Sequence, residues 1–206
     1  MKVLAINGSP HKEGNTYWAL KKVTDTLQEL GIETEIIQVG NKEIRGCMGC
    51  GTCSSKGECI YSNEDFRKWT QKMYEADGLI VGSPVYYAGM AGTLKSFMDR
   101  AFYQSNGRME NKIGAGLAVC RRTGGMTTFE QINAYFLISD MFIAPSTYWN
   151  VGHGRESGEI KQDLEAMSTF EVLARNMAWF LRLQEETAGK IPPPEKGQKI
   201  RTNFIR

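Results

Sequence analysis

Apolar runs that read as strands begin near residues 2, 32, 77, 112 and 141, with a helical pattern between each and the next or after the last. Most of these steps are about 30 residues, the length of one strand–helix–strand unit. Such alternation implies a parallel sheet with helices on both faces, because each crossover must return the chain to the same end of the sheet. The step from 32 to 77 is longer, and its surplus, 40–62, is polar and rich in glycine and cysteine. The predicted architecture is therefore α/β: five parallel strands in the order 2-1-3-4-5, with a cysteine-rich loop inserted after strand 2. That order gathers the loops after strands 1, 3 and 4 beyond the carboxyl ends of the strands. The length of 206 residues suits one domain with a full core, placed at 1–188. The proline-bearing stretch 189–206 reads as a surface arm.

Helix faces follow from three- and four-residue spacing. They are Leu20, Val23, Leu27 and Leu30 in the first helix, with Gly31 as its stop; Phe66, Trp69 and Met73 after a cap at Ser62 or Asn63; Leu94, Phe97, Met98, Ala101 and Phe102; Phe129, Ile132, Phe136 and Leu137; and Leu164, Met167, Leu173, Met177 and Leu181. The second strand is expected over 32–39 and the fifth to start at 141–144.

Gly8-Ser9-Pro10-His11-Lys12-Glu13-Gly14-Asn15-Thr16 joins the first strand to the first helix. A strand, a loop of small polar residues and a helix start place free backbone N–H groups at the positive end of a helix dipole, which suits a phosphate. It is not the loop of nucleotide hydrolases: Gly8 and Gly14 are one residue too far apart and Asn15 stands where a lysine is required. Nor is there a G-x-G-x-x-G fingerprint with an acidic residue after the second strand. What remains is a neutral cradle of Ser9, Asn15 and Thr16, or a plain helix start capped by Asn15 or Thr16.

The segment 82–90, Gly-Ser-Pro-Val-Tyr-Tyr-Ala-Gly-Met, has the makings of a wall for a flat ring, with Tyr86 and Tyr87 as stacking faces; an ordinary strand-to-helix turn is the plainer reading. Arg121, Arg122, Thr123 and Gly124 offer positive charge beside a ring that becomes anionic on reduction, or simply a solvated loop.

Ser9-Pro10 with Gly14-Asn15-Thr16, together with Gly82-Ser83-Pro84-Val85-Tyr86, resembles the flavodoxin-like NAD(P)H-dependent FMN reductase superfamily over roughly residues 1–125. The resemblance implies FMN, with its phosphate at Ser9, Asn15 and Thr16 and its isoalloxazine against Pro84, Val85, Tyr86 and Tyr87. Arg121, Thr123 and Gly124 join this cofactor set, as does His11, which stands where many relatives carry arginine.

Four of five cysteines lie within thirteen residues, as Cys47-x2-Cys50-x2-Cys53-x5-Cys59. Such clustering in a reducing compartment argues for a metal or redox site over disulfides. Three-residue steps wrap a small object, and four thiolates match a cubane iron–sulfur cluster. Zinc sites more often separate two pairs by a dozen or more residues, and a site without metal is the third reading. Cys120, at a strand end, reads as a small buried residue. Within the superfamily the cysteine pattern is similar to that of the iron–sulfur flavoproteins, which implies a 4Fe–4S cluster on Cys47, Cys50, Cys53 and Cys59. It also implies a donor such as ferredoxin, acceptors such as oxygen or peroxide, and a homodimer or homotetramer in which one subunit's cluster faces another's flavin.

A net charge of +2 with scattered lysines gives no electrostatic case for nucleic acid or membrane. With no spanning apolar run and a strand starting at once, the expected location is cytoplasmic. Three functions are compatible with the sequence: electron transfer between a 4Fe–4S cluster and FMN; NAD(P)H-dependent FMN or quinone reduction with structural cysteines; and a zinc-clamped, non-enzymatic interaction module.

Overall fold

Val3 and Ala5 point to one side of the first strand, Leu4 and Ile6 to the other, and all four are fully buried. Burial on both faces requires a layer of helices on each, and the computed structural model has that form. It describes residues 1–195 together with Gly197, Ile200, Thr202 and Phe204. Strands β1 (Lys2–Asn7), β2 (Glu33–Gln38) and β3 (Gly78–Tyr86) alternate with helices α1 (Asn15–Glu29), α2 (Thr52–Lys56) and α3 (Glu64–Glu75). There follow β4 (Gly89–Met90), α4 (Gly92–Tyr103), β5 (Ile113–Cys120), α5 (Gly125–Ile138), β6 (Phe142–Ile143), β7 (Val151–His153), a 3₁₀ turn (Glu159–Gln162) and α6 (Leu164–Thr187).

The sheet order is β2-β1-β3-β5-β6, the predicted parallel arrangement, with β7 also paired to β5. The fifth position is thus shared by two short strands. Pro145, lacking an N–H, cannot continue the ladder after β6. The buried Asn150 side chain donates to Gly116 O at 3.0 Å, where a strand backbone would have done so.

Helices α1 and α6 cover one face, with Leu20, Val23 and Leu27 against Phe170, Leu173 and Met177. Helices α3, α4 and α5 cover the other, with Phe66, Met73, Phe97, Met98, Ile132 and Phe136. Full burial of such side chains contributes about 1.5–3 kcal/mol each. The predicted stop of α1 is a Schellman turn: Gly31 has φ +80°, Ile32 N donates to Leu27 O at 3.0 Å, and Gly31 N donates to Gln28 O at 2.9 Å. Asn63 caps α3, accepting from Phe66 N at 2.9 Å.

Two expectations about helix faces fail. Leu137 is 66% exposed and Leu164 77% exposed. Leu137 follows the buried Phe136 by one step, about 100° around the helix, and Leu164 starts α6 before that helix meets the sheet. Among the described residues no helix is long and apolar enough to cross a membrane. The arm expected at 189–206 lies partly outside the described residues.

Candidate functional site

The loops after β1, β2 and β3 are laced together by backbone and buried amides. Gly8 N donates to Gly82 O at 2.9 Å, and Val39 N and Gly40 N both donate to Asn7 O. Asn7 is fully buried; its Oδ1 accepts from Ser9 N at 3.0 Å and its Nδ2 donates to Gln38 Oε1 at 2.7 Å. Gln38 in turn donates to Ser9 O. Ser9 is buried, and its Oγ accepts from His11 N at 3.1 Å, while the His11 side chain faces solvent.

Gly14 stands at the N-cap of α1 and no side chain caps the helix, so the capped start offered by the sequence does not form. Asn15 turns away instead, accepting from Ile160 N at 3.2 Å. Thr16 is buried with its methyl close to Gly82. The first-turn N–H groups of α1 are therefore left without a side-chain acceptor at the positive end of the helix, the arrangement that receives an anion. The rim is completed by 154–160, whose Ser157 Oγ donates to Glu13 O at 2.8 Å.

Beside this cradle, β3 turns back through Tyr87 and Ala88 into the antiparallel β4, pairing Val85 with Met90 and Tyr86 with Gly89. Tyr87 and Ala88 are both left-handed, at φ +48° and +58°. A two-residue hairpin favours this geometry, but in residues with a β-carbon it costs about 1–2 kcal/mol each. The turn is pinned by Thr127 Oγ1, which donates to Ala88 O at 2.7 Å, and by Gln131 Oε1, which accepts from Met90 N at 3.0 Å. Tyr86 and Tyr87 are open to solvent, Tyr87 completely. Pro84 and Val85 are half-buried, and Val85 lies against Gly124 at the start of α5.

The Arg121–Gly124 segment is divided. Arg122, Thr123 and Gly124 line a cavity of about 310 Å³ with Tyr148, Trp149, His153 and Asp163. Arg121 lines a neighbouring one with Arg155 and Glu159, His153 being common to both.

The four clustered cysteines line one small cavity with Tyr61, Arg100 and Tyr103. Their loop is folded by glycines: Gly49, Gly51 and Gly57 have φ between +65° and +73°, and the last two bracket the single turn α2. All five cysteines are free. Burial pushes the Cys53 thiol above its ordinary range, whereas hydrogen bonds from Thr52 lower that of Cys50. The loop is held from the far end of α4: Cys59 N donates to Gln104 Oε1 at 2.8 Å, Asn106 Nδ2 to Cys53 O at 2.9 Å, and Arg108 to Gly57 O at 2.9 Å. Among the described residues no three acidic, histidine or cysteine side chains are placed to hold a metal ion. Cys120 is buried at the end of β5.

Residues 1–156 match the family model described as NADPH-dependent FMN reductase. The chain belongs to that family. An iron–sulfur flavoprotein of Methanocaldococcus jannaschii is 38% identical over 191 residues, 89% of this chain and 98% of that one. Another, from Methanosarcina thermophila, is 29% identical over 199 residues, 92% of this chain and 100% of its own. Among solved structures, RosB with bound 8-demethyl-8-formylriboflavin-5′-phosphate has a TM-score of 0.71 at 16% identity, covering 100% of this chain and 96% of that one. The Trp repressor binding protein from Bacillus subtilis has a TM-score of 0.62 at 22% identity, over 83% of this chain and 98% of that one. These structural likenesses speak to the flavodoxin-like fold.

As an FMN reductase family member, the chain is a flavin-dependent oxidoreductase. Several residues that shape its candidate site carry no motif: Asn7, Gln38 and Gly40 behind the 8–16 loop, the 154–160 rim, and Arg100, Gln104 and Asn106 behind the cysteines. The one available signal was Asn7, an amide closing the apolar run 3–6, since a buried amide must find partners.

Proposed function

We propose that this protein moves electrons between a 4Fe–4S cluster and FMN, drawing on a ferredoxin or NAD(P)H and delivering to small acceptors such as oxygen or peroxide. The observation that carries the reading is the convergence of four free thiols on one cavity in a member of a flavin-reducing family. The chemistry of the donors supports both groups. Uncapped N–H groups and buried hydroxyls suit a phosphate monoester, and four sulfurs on a glycine-shaped loop suit a cubane.

When bound, FMN exchanges one or two electrons and the cluster one, so the pair links two-electron to one-electron chemistry. The chain's own part is placement. Ser9, Thr16 and the first turn of α1 would bind the phosphate, with Asn15 holding the rim over it through Ile160. Pro84, Val85, Tyr86 and Tyr87 would support the ring, with Thr123 and Gly124 at its edge and Arg121 and His11 at the solvent rim. Cys47, Cys50, Cys53 and Cys59 would hold the cluster. Exposed Met48, Tyr61, Tyr86 and Tyr87 on these two regions favour a homodimer or homotetramer that covers them.

Anaerobic purification followed by absorbance, iron and acid-labile sulfide analysis tests the reading. Iron with equivalent sulfide and a broad brown absorbance is expected, together with its loss in Cys53→Ser. A yellow, iron-free protein that refuses reconstitution would establish a reductase with structural cysteines, and a colourless zinc protein an interaction module.

A further inference from the structure

Arg100 is only 4% exposed. Its guanidinium stacks on Phe66, 4.0 Å from the ring centroid. Nε donates to Cys59 Sγ at 3.4 Å and one terminal nitrogen to Arg45 O at 3.3 Å, while the other terminal nitrogen is buried with no partner. No carboxylate pairs with it among the described residues. Arginine stays charged in any protein environment, and a buried cation without an anion is strongly disfavoured. The guanidinium borders the cavity that the four cysteines line. Arg45 and Arg108, also without a carboxylate partner among the described residues, flank the same loop, stacked on Tyr61 and Tyr74. The wall of the cysteine-lined pocket thus carries a fixed positive charge that is hydrogen-bonded to one of its four sulfurs.

We propose that Arg100 is the resident counter-cation of the cysteine-held cluster and sets its reduction potential. The inference rests on the cluster reading above. Four thiolates outweigh the charge of the iron–sulfide core, so the assembly is an anion in both states and gains one further negative charge when it takes one electron from an external reductant. A neighbouring cation and a hydrogen bond to sulfur favour the more negative state, which raises the potential. Arg100 is bonded to a ligand sulfur and shielded from water, where screening is weak.

The test uses the full chain, loaded anaerobically with FMN and reconstituted with iron and sulfide, as wild type, Arg100→Gln and Arg100→Lys. Each is assayed for iron and sulfide and titrated with dithionite and mediators under electron paramagnetic resonance. At a fixed potential near the wild-type midpoint, the reduced-to-oxidised ratio of the Gln cluster should fall at least tenfold, a downward shift of 59 mV or more for a one-electron couple. The Lys variant should lie between Gln and wild type, and the FMN couple should stay in place. A Gln variant with full iron and an unmoved cluster potential overturns the proposal. If the Gln variant cannot hold iron while retaining FMN, the Lys variant decides: iron retained supports the counter-charge role, and iron lost shows that shape rather than charge is required. A wild-type chain that takes up no iron at all defeats the cluster reading itself, a failure distinct from an unmoved potential.

Discussion

The tightest point behind the phosphate loop is Gly40, and Gly40→Ala turns that contact into a measurement. A β-carbon there would stand 2.2 Å from Ser9 O and 2.3 Å from Gly8 O, both backbone atoms with no side-chain freedom. Relief requires the 39–40 backbone and the phosphate loop to part by most of an ångström. Overpacking of this kind costs about 1–3 kcal/mol. In the free protein the loop can open to shed the strain, but seating a phosphate must press it shut again. The same energy then appears in binding, as FMN affinity reduced roughly 5- to 150-fold, since 1.4 kcal/mol is a factor of ten. Quenching of FMN fluorescence on titration measures it. Gly31→Ala is the control. Gly31 has φ +80° and nothing within 4 Å, so alanine there costs about 1–2 kcal/mol in backbone strain. It stands beyond the far end of the fifteen-residue α1, about 22 Å from the cradle, so the melting temperature should fall while FMN affinity holds. Gly40→Ala with an affinity within twofold of wild type, or Gly31→Ala weakening FMN equally, would refute the argument.

Tyr87→Gly removes a β-carbon from a left-handed residue that touches no core, so the FMN-free chain should gain about 1 kcal/mol, read as a higher melting temperature. Its affinity for FMN should fall, and a variant that gains stability with unchanged affinity removes Tyr87 from the ring site. Burial, followed by its hydrogen bond to Asp99, holds the Tyr135 phenol up to about 12. Because the folded value lies above the ordinary 10, its contribution to stability is complete below pH 10 and fades as pH rises toward 12. Ultraviolet titration should show a phenolate step near pH 12 that Tyr135→Phe abolishes. Asn63→Ala should lower stability by about 1 kcal/mol through loss of the α3 cap, with no change in FMN binding.

The layered fold was legible because the central strands bury both faces and the helices mainly one, so residue type recorded the layers: 3–6 reads as a continuous apolar run and 113–120 as alternating small and apolar residues. A helix stop at Gly31 and a helix start at Asn63 were legible because each is written in a single residue. The divided fifth position was not, because the Asn150 side chain that replaces a backbone donor lies five residues beyond Pro145. The hairpin at Tyr87-Ala88 was hidden too, since two left-handed positions normally announce themselves with glycine or asparagine. For the candidate site, legibility followed contiguity. Ser9 to Thr16, 82–87 and the four cysteines are local strings. Their supports are pairs such as Asn7 with Gln38 and Cys59 with Arg100, assembled from different elements, and no spacing rule reaches across them.

Those supports also bear on how one chain would hold the two redox groups proposed above without either loosening the other. Near its start α4 places Leu94 directly beneath Gly8, where any β-carbon would come within 2.5 Å of the Leu94 side chain. Near its end the same helix supplies Arg100 and Gln104 to the cysteine loop. Leu94 and Gln104 are ten residues apart, about 15 Å along the axis, and between them Phe97, Met98 and Ala101 are fully buried in the core. The 8–16 loop is tied to β3 by Gly8 N donating to Gly82 O, and both it and the cysteine loop also rest on a helix that cannot shift without opening that core. The separation of the two loops is therefore fixed in part by the length of α4. Substitutions within a loop should alter the group proposed for it and leave the other in place, whereas a change that kinks α4 between residues 97 and 101 should disturb both together.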